Sequence, residues 1–169
     1  MPIPEGTHSI GPSNGSLKVK TGREGAAAKA GHDLVLEVNS WEATVEGGDS
    51  PSIQLTADPG SIEVVSGTGG AKALTDKDKR EIKKSMDGKV LGSSQITFQS
   101  SEVTDSGAKG DLSIAGSSSS VDVPLKVNGG SISGSVTLSQ SDFGIKQFKA
   151  LMGALKVSDE VTVEFQGSL

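Results

Sequence analysis

Apolar residues recur at every second position, in short runs, over most of this 169-residue chain, and a period of two is what a strand with one buried face requires. The clearest run sets Val121, Val123, Leu125 and Val127 between Asp122, Pro124 and Lys126; Pro124 costs a ladder bond, so an edge or a bulge is expected there. The same alternation marks Leu17 and Val19, Leu34 to Val38, Ile62 and Val64, Ile96 and Phe98, Leu112 and Ile114, Val136 and Leu138, and Val161 to Phe165. Turn signals separate the runs: Gly47-Gly48-Asp49, Asp58-Pro59-Gly60, Gly67 to Gly70, Asp105-Ser106-Gly107 and Asn128-Gly129-Gly130. The last, flanked by Val127 and Ile132, predicts a tight hairpin, so neighbouring strands are expected to pair antiparallel. Many short strands joined this way make an all-β sandwich or barrel.

Two segments depart from the period of two. Thr75 with Asp78 three residues on resembles a capping box, Ile82 and Met86 share a helix face, and Gly88 supplies a stop, which predicts a short charged helix. From about Asp142 to Leu155, Ile145, Phe148, Met152 and Leu155 recur near helical spacing, which predicts a second, more amphipathic helix. Both are basic inside a chain of net charge -5, through Lys72, Lys77, Lys79, Arg80, Lys83, Lys84 and Lys89 in the first and Lys146, Lys149 and Lys156 in the second. The ordinary reading of such faces is solvation; the functional one is attraction of an anionic head group or membrane surface. With no repeat and no linker, residues 1–169 read as a single domain.

Several function classes fall away. The acidic balance argues against nucleic-acid binding, which draws on basic patches. With no cysteine there is no thiolate chemistry and no disulfide. Two isolated histidines, His8 and His32, do not supply a metal set, and no Gly-x-Ser-x-Gly elbow accompanies His32-Asp33, so no catalytic residues are expected. Gly67 to Gly70 lacks the Lys and Ser/Thr of a phosphate loop. The opening Met1-Pro2-Ile3-Pro4-Glu5-Gly6 has neither a basic nor an apolar leader region, which reads as a cytoplasmic protein. Aromatics are scarce, four Phe, one Trp and no Tyr, so interior positions fall to aliphatic side chains.

The order of motifs resembles the YceI-like family of lipocalin-like, polyisoprenoid-binding proteins. It starts with Thr7-His8-Ser9-Ile10 and Leu17-Lys18-Val19, then Ala27 to Leu34 running into Trp41-Glu42-Ala43-Thr44-Val45. It continues through Ile96-Thr97-Phe98-Gln99-Ser100, Gly110 to Gly116 and Val123-Pro124-Leu125, and closes on Ser139 to Ile145. Where many members carry His-Leu-Arg-Ser-x-Asp-Phe-Phe-Asp before the Ile-x-Phe strand, this chain has the charged stretch Lys77 to Val90 without paired Phe.

The resemblance implies an antiparallel lipocalin-like barrel with two short helices whose interior holds a long isoprenoid tail. It implies no cofactor beyond a bound polyisoprenoid or isoprenoid quinone, and no partner beyond an apolar or lipid ligand and transient contact with a membrane surface. On that reading Phe143, Phe148, Leu151, Met152 and Leu155 line or close the pocket, and Leu34, Leu36, Trp41, Phe98, Val123, Leu125 and Phe165 form its wall. His32, Lys146 and Lys149 are the candidate head-group contacts. The alternatives are a protein-interaction or structural barrel with a filled core, and an enzyme built on His32.

Overall fold

The computed structural model describes residues 2–70, 72–150, 153 and 155–169. Its strands are β1 (Gly6–Ile10), β2 (Gly15–Glu24), β3 (Asp33–Val38), β4 (Trp41–Gly47), β5 (Ser52–Ala57) and β6 (Ile62–Thr68). After helix α1 (Asp76–Ser85) follow β7 (Ile96–Thr104), β8 (Gly107–Ile114), β9 (Ser117–Asn128), β10 (Ser131–Ser139), β11 (Lys149–Ala150) and β12 (Leu155–Ser168). Eleven of them form one antiparallel path, β1-β4-β5-β7-β8-β9-β10-β12-β2-β3-β6, with β11 pairing β12. The path is a strongly curled half-barrel. β1 and β6 are its edges, and among the described residues no ladder joins them.

Opposed residues share a face, so the registers assign the interior. One row runs Leu125, Gly134, Phe165 and Leu17, and a second runs Val136, Val163, Val19, Leu36 and Val64. Across the other half, Ile10, Ala43, Leu55, Phe98 and Leu112 form a corresponding row. The two halves meet at one end through Ile10. A Cβ on Gly167 would stand 2.5 Å from Ile10 Cγ2, and one on Gly15 2.8 Å from the same atom. Only glycine at this opposed pair lets the edge strand β1 seat its side chain against β2 and β12.

Pro124 is where β9 changes partner. Upstream, Ser117 to Pro124 pair with β8; downstream, Leu125 to Asn128 pair with β10, over four opposed residues only. The missing N–H thus falls at the switch between two ladders, which satisfies the edge or bulge expected of it. Beyond it the hairpin set by Asn128-Gly129-Gly130 splays: Ser117–Val123 of β9 and Ser135–Ser139 of β10 share no ladder.

The first helix forms as its cap predicts, with Thr75 Oγ1 accepting from Asp78 N–H at 3.1 Å and Asp78 Oδ2 accepting from Thr75 N–H at 3.0 Å. Its end differs from expectation. The chain passes Gly88 in a π turn, Met86–Leu91, and stops at Gly92, whose φ of 66° favours glycine. The extra turn directs Met86, Val90 and Leu91 into the apolar interior while α1 itself buries nothing. Lys83 anchors α1 by donating to the carbonyls of Gly60 and Ile62 and pairing with Asp87 at 3.3 Å. Thr75→Ala is expected to cost about 1 kcal/mol in urea unfolding. The Thr75 N–H, then the Thr75 hydroxyl, hold the Asp78 carboxyl below its usual value near 3.8. A lowered carboxylate stabilises above its unfolded value and loses that contribution as pH falls through the folded one. The helical circular-dichroism signal is therefore expected to weaken as pH drops below about 3.8, less so in Asp78→Asn.

Over residues 142–150 the second expected helix is replaced by other structure, and residues 151, 152 and 154 of its span lie outside the described residues. Gln140–Phe143 make a 3-10 turn closed by Gly144 at φ 70°, residues 145–148 form no regular element, and the strand β11 follows. Phe143 and Ile145 are both buried on either side of Gly144, where the chain turns in the left-handed region. Side-chain bonds hold the segment to β12: Gln140 Nε2 donates to Ser158 O, Ser141 N–H and Oγ donate to the Asp159 carboxylate, and Gln147 Nε2 donates to Val157 O. These long-range bonds, with Gly144 in the left-handed region, outweigh the helical recurrence of Ile145, Phe148 and Leu155.

Candidate functional site

The interior is graded along the strands. At the end closed by Ile10 it is solid, with Ile132 and Val45 at 0% exposure and Trp41 at 6%. Trp41 stands edge-on to Phe165, ring centroids 5.8 Å apart at 75°. Away from this end the inward side chains are only partly covered: Val19, Leu34, Val64, Phe98, Val123 and Val163 pack against the solid cluster and remain half-buried, as does Phe165 beside Trp41. A second cluster of Leu138, Phe143 and Ile145 gathers Val90, Leu112, Ile114, Val121, Val136 and Val161 beside the splayed hairpin. Ser117 and Ser119, opposite Ile114 and Leu112, are the polar residues of β9 on this inner face.

All seven residues expected to form a wall fall in one cluster. Leu36, Trp41 and Leu125 are buried members, and Leu34, Phe98, Val123 and Phe165 are half-buried at its margin. Phe143, 2% exposed, belongs to the second cluster. Phe148 and Leu155 join neither; the Phe148 carbonyl accepts from Val157 N–H, and Leu155 lies against Gly31. Leu151 and Met152 lie outside the described residues. The aliphatic residues of β10 and β12, Val136, Leu138, Val161 and Val163, were legible as strand positions but not as part of a site, because nothing in sequence says that β10 and β12 border the interior of the curl.

The polar candidates separate into two places. Lys146 and Lys149 line a surface hollow of about 570 Å3 with Ser141, Ile145, Gln147 and Asp159. His32 lies elsewhere, its Nε2 donating to the Lys72 carbonyl at 2.7 Å. Nearby, Arg23 donates to the Gly31 carbonyl and pairs with Asp33 at 3.5 Å, tying β2 to the start of β3. No group of three or more His, Asp or Glu placed to hold a metal occurs among the described residues. The arrangement is that of an apolar trough with a charged hollow outside its lip.

The YceI-like domain matches residues 18–169, nearly the whole chain. This chain belongs to the YceI-like family. The family is known to bind isoprenoid-like lipids, and its members are generally non-catalytic binding proteins. The fold agrees with YceI-like structures. Burkholderia cenocepacia BcnA is 19% identical, with 92% of this chain and 96% of that one covered at a TM-score of 0.64. A Campylobacter jejuni YCEI protein is 13% identical, covering 79% and 82% at 0.51. No curated protein matches the sequence. In this YceI-like chain, the stretch that departs from the family motif forms α1 and the π turn, and Met86, Val90 and Leu91 supply its apolar contacts.

Proposed function

We propose that this protein is a non-catalytic carrier that holds an isoprenoid, or a similarly long apolar chain, in the trough of its half-barrel. The observation that carries this reading is the band of half-buried apolar side chains on the inner face, from Val19, Val136 and Val163 across to Val123 and Phe98. Half-covered apolar surface facing inward gains by covering with a chain of methylenes. About ten such carbons contribute on the order of 8 kcal/mol before the cost of association. Lys146 and Lys149, outside the lip, suit an anionic head group, while His32 has its Nε2 committed to a carbonyl.

Trp41 is the only tryptophan and there is no tyrosine, so its emission reports on the interior. Titration with geranylgeraniol is expected to change that emission saturably at one equivalent. Val163→Lys, in the middle of the wall, is expected to weaken binding at least about a hundredfold, because its ammonium would be buried against the tail. Thr162→Lys, on the opposite face, is expected to leave it unchanged. A flat titration with the folded protein overturns the carrier reading. It would favour a filled-core interaction module, the reading to which the solid end around Ile10, Val45 and Ile132 lends itself.

A further inference from the structure

The splayed hairpin between β9 and β10 points to the route by which the apolar chain reaches the interior. We infer that the seam between Ser117–Val123 and Ser135–Ser139 is a lateral portal, with Phe143 as the side chain that closes it. The inference rests on the carrier reading above and adds to it the place and manner of entry.

The two strands are joined by a tight turn and zipped for four residue pairs, yet separate immediately after Pro124. Beyond that fork no hydrogen bond among the described residues crosses from Ser117–Val123 to residues 135–145. The inner lip is apolar on β10, with Val136 and Leu138, and on β9 it passes from Ser117 and Ser119 to Val121 and Val123. What fills the gap is Phe143, with Ile145 beside it, packed in the same cluster as Val121, Val136 and Leu138. An apolar plug between two unzipped strands can withdraw without breaking a hydrogen bond between them.

The β2–β3 ladder, shorter still, makes the contrast. β2 and β3 pair only from Lys18 to Lys20, but past that point Thr21 Oγ1 accepts from Leu34 N–H, and Arg23 reaches the Gly31 carbonyl and Asp33. That gap is bridged by polar bonds; the β9–β10 seam is bridged by none. The outer face at the fork also carries a hollow of about 410 Å3, lined in part by Pro124, Leu125, Gly134 and Ser135. A long flexible chain entering sideways lies down along the trough in one step. Entry end-on would need it to thread past the solid end or the π turn.

The chain has no cysteine, so a staple can be placed cleanly. Asp122→Cys with Thr137→Cys, both exposed on the outer face, spans the seam; Lys126→Cys with Ser133→Cys spans the zipped part of the same hairpin. Each pair is closed with a bis-maleimide linker, before or after loading with geranylgeraniol. Stopped-flow Trp41 emission then gives uptake, and transfer to excess phosphatidylcholine vesicles gives release. The seam staple is expected to slow both by at least about tenfold, and to trap ligand loaded beforehand, while the hairpin staple leaves both within about twofold. Phe143→Ala is expected to speed both. Uptake and release unchanged by the seam staple, in protein that still binds, overturn the portal and leave the carrier reading standing. Absence of geranylgeraniol binding to the unstapled protein overturns both.

Discussion

Replacing Trp41 with alanine is expected to destabilise the fold by about 3–5 kcal/mol, whereas Trp41→Phe is expected to stay within about 1 kcal/mol of the parent. The ring fills the solid end of the interior, 6% exposed, edge-on to Phe165 and within 3.2 Å of where a Cβ on Gly15 would stand. Alanine leaves a cavity between β4, β2 and β12 that rigid strands cannot collapse into. The indole Nε1, however, is buried with no hydrogen-bond partner among the described residues. An unpaired buried donor costs about 1–3 kcal/mol, and phenylalanine removes it while keeping most of the aromatic contact. The two terms offset. Urea unfolding followed by far-ultraviolet circular dichroism, which does not depend on the tryptophan, measures both variants. Equal losses in Trp41→Ala and Trp41→Phe would show that the indole N–H is engaged after all.

Gly110→Ala is expected to cost about 3 kcal/mol, at the upper end of what overpacking in a core produces. Gly110 lies in β8 opposite Ser100 and Val121, beside the bulge at which β7 shifts register between Ser100 and Glu102. A Cβ there would stand 2.2 Å from the Gln99 carbonyl oxygen and 2.7 Å from Ser100 Cα, both main-chain atoms that no rotamer change can move aside. The β7–β8 ladder has to part to admit a methyl group. Gly130→Ala, in the β9–β10 turn with nothing within 4 Å of its Cβ, is expected to fall within about 0.5 kcal/mol of the parent. The difference in denaturant midpoint between the two variants checks the argument, and equal midpoints would contradict it.

The β architecture was legible because alternation is a local signal, and each run the alternation marked is a strand in the structure. β4 and β5 were less visible. Trp41, Ala43 and Val45 do alternate with Glu42, Thr44 and Glu46, but alanine dilutes the pattern, and Thr56 with Ala57 does the same in β5. The N-terminal cap of α1 was readable from Thr75 and Asp78, because a capping box is a contact between neighbours in sequence. Its C-terminal end was not, since the π turn is set by where Val90 and Leu91 find apolar partners. The segment around Phe143 shows the limit most clearly. Phe143 is expected as a pocket residue inside a segment read as helical, whereas residues 140–150 form a 3-10 turn, an irregular stretch and β11. It is buried because Ser141 and Gln140 are bonded to β12, eighteen residues downstream, which no window of sequence contains. Likewise Asn128-Gly129-Gly130 announced a hairpin, and Pro124 an interruption, but that the two strands part there follows only from the sheet as a whole.

The partner change at Pro124 has a consequence for how the molecule comes apart. Main-chain bonding divides the sheet into two units, one from β1 to β8 and the other from β10 to β6 along the path, with β9 shared between them. Four opposed residue pairs of β9 and β10 stitch the units together, in a sheet where β5–β7 also has four and β2–β3 three, and among the described residues no ladder between the edges β1 and β6 adds a second stitch. Each unit is therefore a candidate for subglobal opening, with its own pattern of amide exchange, and what makes the two unfold as one is the apolar interior they share. Cooperativity here resides in side chains rather than in the backbone. Whatever occupies that interior touches both units at once, and so raises the free energy of parting them.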